Sequence, residues 1–143
     1  MRDDLDDPVD LPAQVRRVVS LVPSLTEAIA ATRPELLVGA TDWCTHPEGL
    51  AVTRVRGTKN PDVNAIARLA PDLVVANREE NRKLDVQRLR DRGIAVWVTR
   101  IDTVHDALTS LRRLFTGPLA TPHVHWLDAA EAVWSAPPRL PAL

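Results

Sequence analysis

Asp42, Cys44 and His46 put three donor types that bind transition metals into one short loop between Gly39 and Gly49, close enough for that loop to fold them around an ion. A structural zinc site usually takes four ligands, commonly several thiolates, and Cys44 is the single cysteine of the chain. Polar groups that cap neighbouring backbone are the competing account of the same loop. Trp43, between them, offers an indole that either completes a core or provides a flat wall for a ligand. A second cluster, Thr58, Lys59 and Asn60, falls in the turn Gly57-Thr-Lys-Asn60. The third is Asn77, Arg78, Glu79, Glu80 and Asn81, where polarity returns abruptly after the uncharged run Leu73–Ala76. Arg78, Glu79 and Glu80 suit a polar ligand or a partner, but a run of charges beyond a strand is more often a solvated turn, and from the residues alone that reading is favoured.

Other reactive residue types lead less far. Ser24 lacks the G-x-S-x-G elbow of a hydrolase nucleophile, and a capping role explains it. His123 and His125, two residues apart on a helix, point to nearly opposite sides and do not chelate together; they read as surface residues. His105 has no partner nearby in sequence. Neither the dinucleotide glycine fingerprint nor the P-loop occurs, which argues against nicotinamide and nucleoside triphosphate chemistry. A metal-dependent enzyme or metallocofactor-handling protein built on Asp42, Cys44 and His46 remains the catalytic alternative to a noncatalytic binding role.

The elements that must position these groups alternate in type. Val15 to Val22 predicts a first strand, bounded by Pro23. Ser24-Leu-Thr-Glu27 has the form of a capping box, predicting a helix that stops near Arg33 because Pro34 disfavours helical geometry before it. Leu36–Val38 predicts a second strand and Arg54-Val-Arg56 a brief third. Asn60 is the expected cap of a helix with Pro61 at its first position and Val63, Ile66, Ala67 and Leu69 facing inward. Leu73–Ala76 suits a strand buried on both faces of a parallel sheet, so Asn77–Asn81 would sit at its carboxyl end, where open α/β sheets gather ligands. A helix ending at Gly93, a strand over Ile94–Val98, a helix from Thr103 and a last helix from Thr121-Pro122 to about Ser135 complete the pattern. Right-handed crossovers between parallel strands make a three-layer, Rossmann-like α/β sandwich with a mainly parallel sheet the economical fold, followed by a connecting helix. The expected organisation is a flexible tail over 1–14, an α/β substrate-binding lobe over 15–117, and a connecting helix with a proline-rich end over 118–143.

Length and charge set the outer bounds. At 143 residues and net charge -1, the chain has the size of one domain and carries no electrostatic footprint for nucleic acid. The acidic first ten residues lack the apolar core of a secretory signal and no run is long enough for a membrane span, so the product as written is expected in the cytoplasm. One cysteine cannot form an intramolecular disulfide. Val124, Leu127 and Trp134 lie at helical spacing and offer a face for a homodimer.

Four blocks taken together, Val18-Val-Ser-Leu-Val-Pro-Ser-Leu-Thr-Glu27, Gly39-Ala-Thr-Asp-Trp-Cys-Thr-His-Pro47, Gly57-Thr-Lys-Asn-Pro-Asp62 and Pro71-Asp-Leu-Val-Val-Ala-Asn-Arg-Glu-Glu-Asn81, resemble the class III, helical-backbone periplasmic substrate-binding family, and its cobalamin branch more than its iron-siderophore branch. The resemblance runs from about Arg17 to Leu114. It implies two α/β lobes joined by a long helix, a cleft that holds a metal chelate such as cobalamin or an iron-siderophore as ligand rather than cofactor, no catalysis, and service to an ABC permease. On that pattern Asp42, Trp43, Cys44, Thr58, Lys59, Asn60, Asn77, Arg78 and Glu79 face the cleft. Asn64 falls where the family carries a permease-docking glutamate, with Asp62 and Glu80 nearby. The resemblance also implies that this chain corresponds to the N-terminal lobe, truncated where a second lobe would begin, and that a periplasmic or cell-surface location would follow from a different start.

Overall fold

The computed structural model describes residues 1–42 and 51–135. The chain divides into two units, Met1–Arg100 and Ile101–Leu143. This boundary falls at the end of the last strand, earlier than the expected division after residue 117.

The first unit is built on a parallel sheet of β1 (Val18–Ser20), β2 (Leu37–Ala40), β3 (Thr53–Arg54), β6 (Leu73–Asn77) and β7 (Val96–Thr99), in the order β3-β2-β1-β6-β7. β1, β6 and β7 are buried along their whole length, which is why their sequences read as near-continuous apolar runs rather than alternating ones. One face carries Val19, Leu21, Val74, Ala76, Val96 and Val98, packed with Ile66, Val86 and Leu89 from the helices α2 (Val63–Arg68) and α3 (Lys83–Asp91). Helix α1 (Pro23–Thr32) links β1 to β2 while α3 links β6 to β7 in the opposite direction across the sheet, so right-handed crossovers put the two on opposite faces. The expected three-layer α/β architecture is thus present. The strand order reverses between β1 and β6, which makes their carboxyl ends the topological switch point.

Several local expectations shift, each for a visible reason. Helix α1 starts at Pro23, not at a Ser24 cap: proline occupies the first turn, Val22 is the N-cap without a side-chain bond, and Ser24 is exposed. The expected third strand over Arg54–Arg56 is split. Arg56 has φ +70°, which turns the chain out of the sheet after β3 and into a small antiparallel pair, β4 (Arg56–Gly57) with β5 (Asn60–Pro61). Because Asn60 and Pro61 are paired there, the cap of α2 passes to Asp62, whose Oδ1 accepts from Ala65 N at 3.0 Å. Gly93 leaves α3 at φ +76°, the left-handed exit the sequence suggests.

The acidic start is not a solvated tail. Asp3 is buried, and its carboxylate accepts from Leu5 N (3.0 Å), Asp7 N (3.1 Å) and Val98 N (3.0 Å) and meets Arg90 Nη2 at 3.3 Å. Asp4 N donates to Val98 O, and Asp4 Oδ2 accepts from Arg100 N. Arg90 Nη2 also donates to Val96 O. The arm therefore covers the outer edge of β7 with carboxylates and a guanidinium in place of a sixth strand, which removes an edge open to pairing with other chains.

The second unit contains α4 (Val104–Thr116) and α5 (His125–Ser135). Thr103 caps α4 by accepting from Asp106 N at 3.0 Å, as its sequence suggests. Arg112 of α4 donates to Glu131 and Asp128 of α5 and to Pro122 O at 3.0 Å; hydrogen bonds from Glu131 and then Asp128 raise its pKa further, so it stays charged. Phe115 and Trp126 meet edge to face, with centroids 5.9 Å apart. Val124 and Leu127, expected on a dimer face, are 1% and 0% exposed and already withdrawn from solvent, whereas Trp134 is 64% exposed. His105, His123 and His125 are exposed. Among the described residues no helix is long and apolar enough to cross a membrane.

Candidate functional site

The carboxyl edge of the sheet gathers the polar clusters of the sequence onto one border. Asp42 follows β2, is exposed, and donates its backbone N–H to Arg56 O at 2.8 Å. Beside it, Arg54 Nη1 donates to Thr41 O at 2.9 Å, tying the ends of β3 and β2 together. The β4–β5 turn presents Thr58, Lys59 and Asn60; Asn60 Oδ1 accepts from Gly57 N at 3.1 Å, and Lys59 and Asn60 are exposed. Lys59 Nζ reaches across to Glu79 O at 2.8 Å, so the second and third clusters touch.

The turn after β6 divides its labour. Asn77 is 8% exposed and works inward: its Oδ1 accepts from Glu79 N (2.9 Å) and Glu80 N (3.4 Å), and its Nδ2 donates to Thr99 Oγ1 at 3.1 Å, at the end of β7. Thr99 Oγ1 in turn donates to Ala76 O at 2.9 Å. This internal hydrogen bonding is an Asx turn that throws Arg78, Glu79 and Glu80 outward, where all are exposed. Arg78 meets Glu79 Oε1 at 2.9 Å, an exposed pair that contributes about 0–1 kcal/mol to stability. Asn77, expected to face a ligand, thus turns inward and supports the backbone of the turn. Asn81, 4% exposed, was legible only as part of a polar run: its Nδ2 donates to Leu21 O and Thr58 O, both at 3.1 Å, and its Oδ1 accepts from Asn77 N at 2.8 Å.

The described border is an open wall of mixed charge, with Lys59 and Arg78 against Asp42, Glu79 and Glu80. A cavity of about 240 Å³ lies behind it, lined by Arg78, Lys83, Val86, Arg90, Leu5 and other residues, too small to enclose a drug-sized ligand by itself. Trp43, Cys44 and His46 lie outside the described residues, and with them the proposed metal loop; among the described residues no group of three or more His, Cys, Asp or Glu could hold a metal ion. Of the candidate docking residues, Asp62 is engaged as the α2 cap, Asn64 is exposed on α2, and Glu80 is exposed on the rim turn.

A parallel sheet with its polar groups at the strand ends and its switch point between β1 and β6 is an open α/β lobe of the kind that gathers ligands at its carboxyl edge. Solved structures agree. A periplasmic heme-binding protein from Pseudomonas aeruginosa superposes with TM-score 0.73 at 22% identity, over 85% of this chain and 43% of that one. The periplasmic vitamin B12-binding protein of Vibrio cholerae gives TM-score 0.71 at 22% identity, over 87% of this chain and 48% of that one. No family model matches the chain. In sequence, it is 33% identical over 103 residues to a vitamin B12-binding protein of Pectobacterium carotovorum, covering 71% of this chain and 37% of the relative. A vitamin B12-binding protein of Vibrio cholerae is 27% identical over 105 residues, covering 72% and 38%.

The chain resembles the class III substrate-binding family, and what it covers fits an N-terminal lobe. It spans 37% of the length of the first of these relatives. Both relatives are named as binding proteins, which gives no support to the metal-dependent enzyme alternative. The expectation of a cytoplasmic location also finds no support, because the solved neighbours are periplasmic proteins.

Proposed function

We propose that this chain is a noncatalytic ligand-binding lobe whose rim forms one wall of a site for a metal chelate, cobalamin being the leading candidate and an iron-siderophore the other. The observation that carries this reading is the joining of separate strand-end clusters: Lys59 to Glu79 O at 2.8 Å, and Asn81 to Thr58 O and Leu21 O at 3.1 Å. Three sequence segments thereby make one surface at the switch point, the place where open α/β sheets bind ligands. Relatives named for vitamin B12 binding support the choice of ligand. The mixed charge suits a large ligand with amide and phosphate groups on its periphery, which exposed Lys59 and Arg78 can meet as donors while Thr58 and Asn60 add uncharged partners. Trp43 would supply a stacking face.

The wider role that goes with this reading is capture for an ABC importer outside the cytoplasm, with the exposed Asn64 and Glu80 as permease-facing residues and Asp62 confined to capping α2. Equilibrium titration with cyanocobalamin tests the ligand assignment. Saturable binding is expected, weakened about tenfold or more when Lys59→Ala and Arg78→Ala are combined, since each removes a charged donor worth about 1.5–3 kcal/mol when bonded. Absence of saturation with cyanocobalamin and with a ferric siderophore would remove the assignment.

A further inference from the structure

Asn81 lies at the point where the strand order of the sheet reverses, and its planar amide touches three segments of the chain. Its Nδ2 donates to Leu21 O, just beyond β1, and to Thr58 O, in the β4–β5 turn, each at 3.1 Å. Its Oδ1 accepts from Asn77 N at the end of β6, at 2.8 Å. Two carbonyl oxygens from distant parts of the sequence are brought beside one another here, and neither can supply a proton to the other. A primary amide offers two donors and an acceptor on one rigid plane, which a serine, an aspartate or a histidine cannot match. Glutamine has the same groups on a longer stem and cannot place all three at once.

We propose that Asn81 is the positioning residue of the ligand wall: it sets the height and angle of the Thr58–Asn60 turn relative to the Arg78–Glu80 turn without itself meeting the ligand. Burial is the reason for the second half of that statement, since only 4% of Asn81 is exposed. The same burial gives its bonds more weight than the exposed Lys59–Glu79 link between the same two turns, because hydrogen bonds in a low-dielectric interior are stronger and costlier to leave unmade. This role rests on the reading of the rim as a ligand wall. A displacement of either turn by about 1 Å separates donors that must act on one rigid ligand together, which is where binding is most sensitive to geometry.

The test compares Asn81→Ala and Asn81→Asp with Leu89→Ala, a core truncation in the second half of α3. Asn81→Asp keeps the acceptor for Asn77 N and replaces the two donors by a carboxylate oxygen that faces the carbonyls of Leu21 and Thr58, so it breaks that tie even if Asn81→Ala folds poorly. All are measured at a temperature where circular dichroism shows them folded. The dissociation constant for cyanocobalamin is expected to rise about tenfold or more in both Asn81 variants and to change little in Leu89→Ala. Amide hydrogen exchange over residues 57–60 is expected to quicken in the Asn81 variants and not in Leu89→Ala. Wild-type affinity in Asn81→Asp, or unchanged exchange over 57–60, overturns the positioning role. Failure of the wild-type chain to bind overturns the ligand reading itself, and the role proposed for Asn81 with it.

Discussion

Replacing Trp97 with alanine is expected to lower the free energy of unfolding by about 3–5 kcal/mol, the range for removing a large aromatic side chain from a packed interior. Trp97 is 1% exposed, sits in β7 opposite Val75 of β6, and points to the face of the sheet away from Val96 and Val98. Its neighbours cannot close over the space, because strands on both sides of β6 are fixed by hydrogen bonds in register. A domain of ordinary stability has only about 5–15 kcal/mol in total, so the loss brings this one close to unfolding. Denaturant unfolding measures it. A change below about 1 kcal/mol would mean that the indole is not part of a packed core. The consequence for the site is direct, since β7 ends in Thr99, whose hydroxyl receives Asn77 Nδ2 and so holds the rim turn.

Asp3→Ala is the second large effect. The Asp3 carboxylate accepts three backbone N–H groups and faces Arg90, so its removal leaves the buried Val98 N without its acceptor and takes one partner from the guanidinium, which keeps Asp7 Oδ2 and Val96 O. Losing charge-assisted bonds of about 1.5–3 kcal/mol each, with a buried N–H left unpaired, should cost about 2–4 kcal/mol in all. At about 2–8 °C per kcal/mol for chains of this general size, a thermal melt should fall by roughly 10 °C or more. Asp4→Ala removes an exposed bond to Arg100 N at 3.0 Å and should cost less. A melting temperature for Asp3→Ala equal to that of Asp4→Ala would contradict the account of the arm as an edge cover. The loss of protection should also show as faster proteolysis of the first ten residues.

These two residues mark the limits of what could be read without coordinates. Trp97 sits inside an apolar run, Ile94–Val98, and period and composition alone identify a buried strand there. Asp3 belongs to an acidic stretch that reads as solvated. Its partners, Arg90 and Val98, lie 87 and 95 residues away, and no local pattern carries such a pairing. The same division holds at the site. The abrupt change from Leu73–Ala76 to Asn77–Asn81 locates the rim, because a strand buried on both faces must deliver its polar residues at its ends. That Asn77 turns inward and Arg78 outward is decided by hydrogen bonds to Thr99 and to the turn's own backbone, which sequence spacing does not encode. Helix starts behaved similarly. Thr103 caps α4 as its type suggests, whereas Asn60 loses the cap of α2 to Asp62 because the β4–β5 pair, formed by the positive φ of Arg56, draws it away.

The central claim is that polar groups from different strands form one receptive border, and amide chemical-shift mapping with cyanocobalamin tests it most directly. Titration should move the amides of residues 57–60 and 78–80 together, with one saturation curve, and leave the outer face of α3 and the Asp3 arm unmoved. Shifts confined to one of the two turns, or concentrated on α3 away from the strand ends, would contradict it.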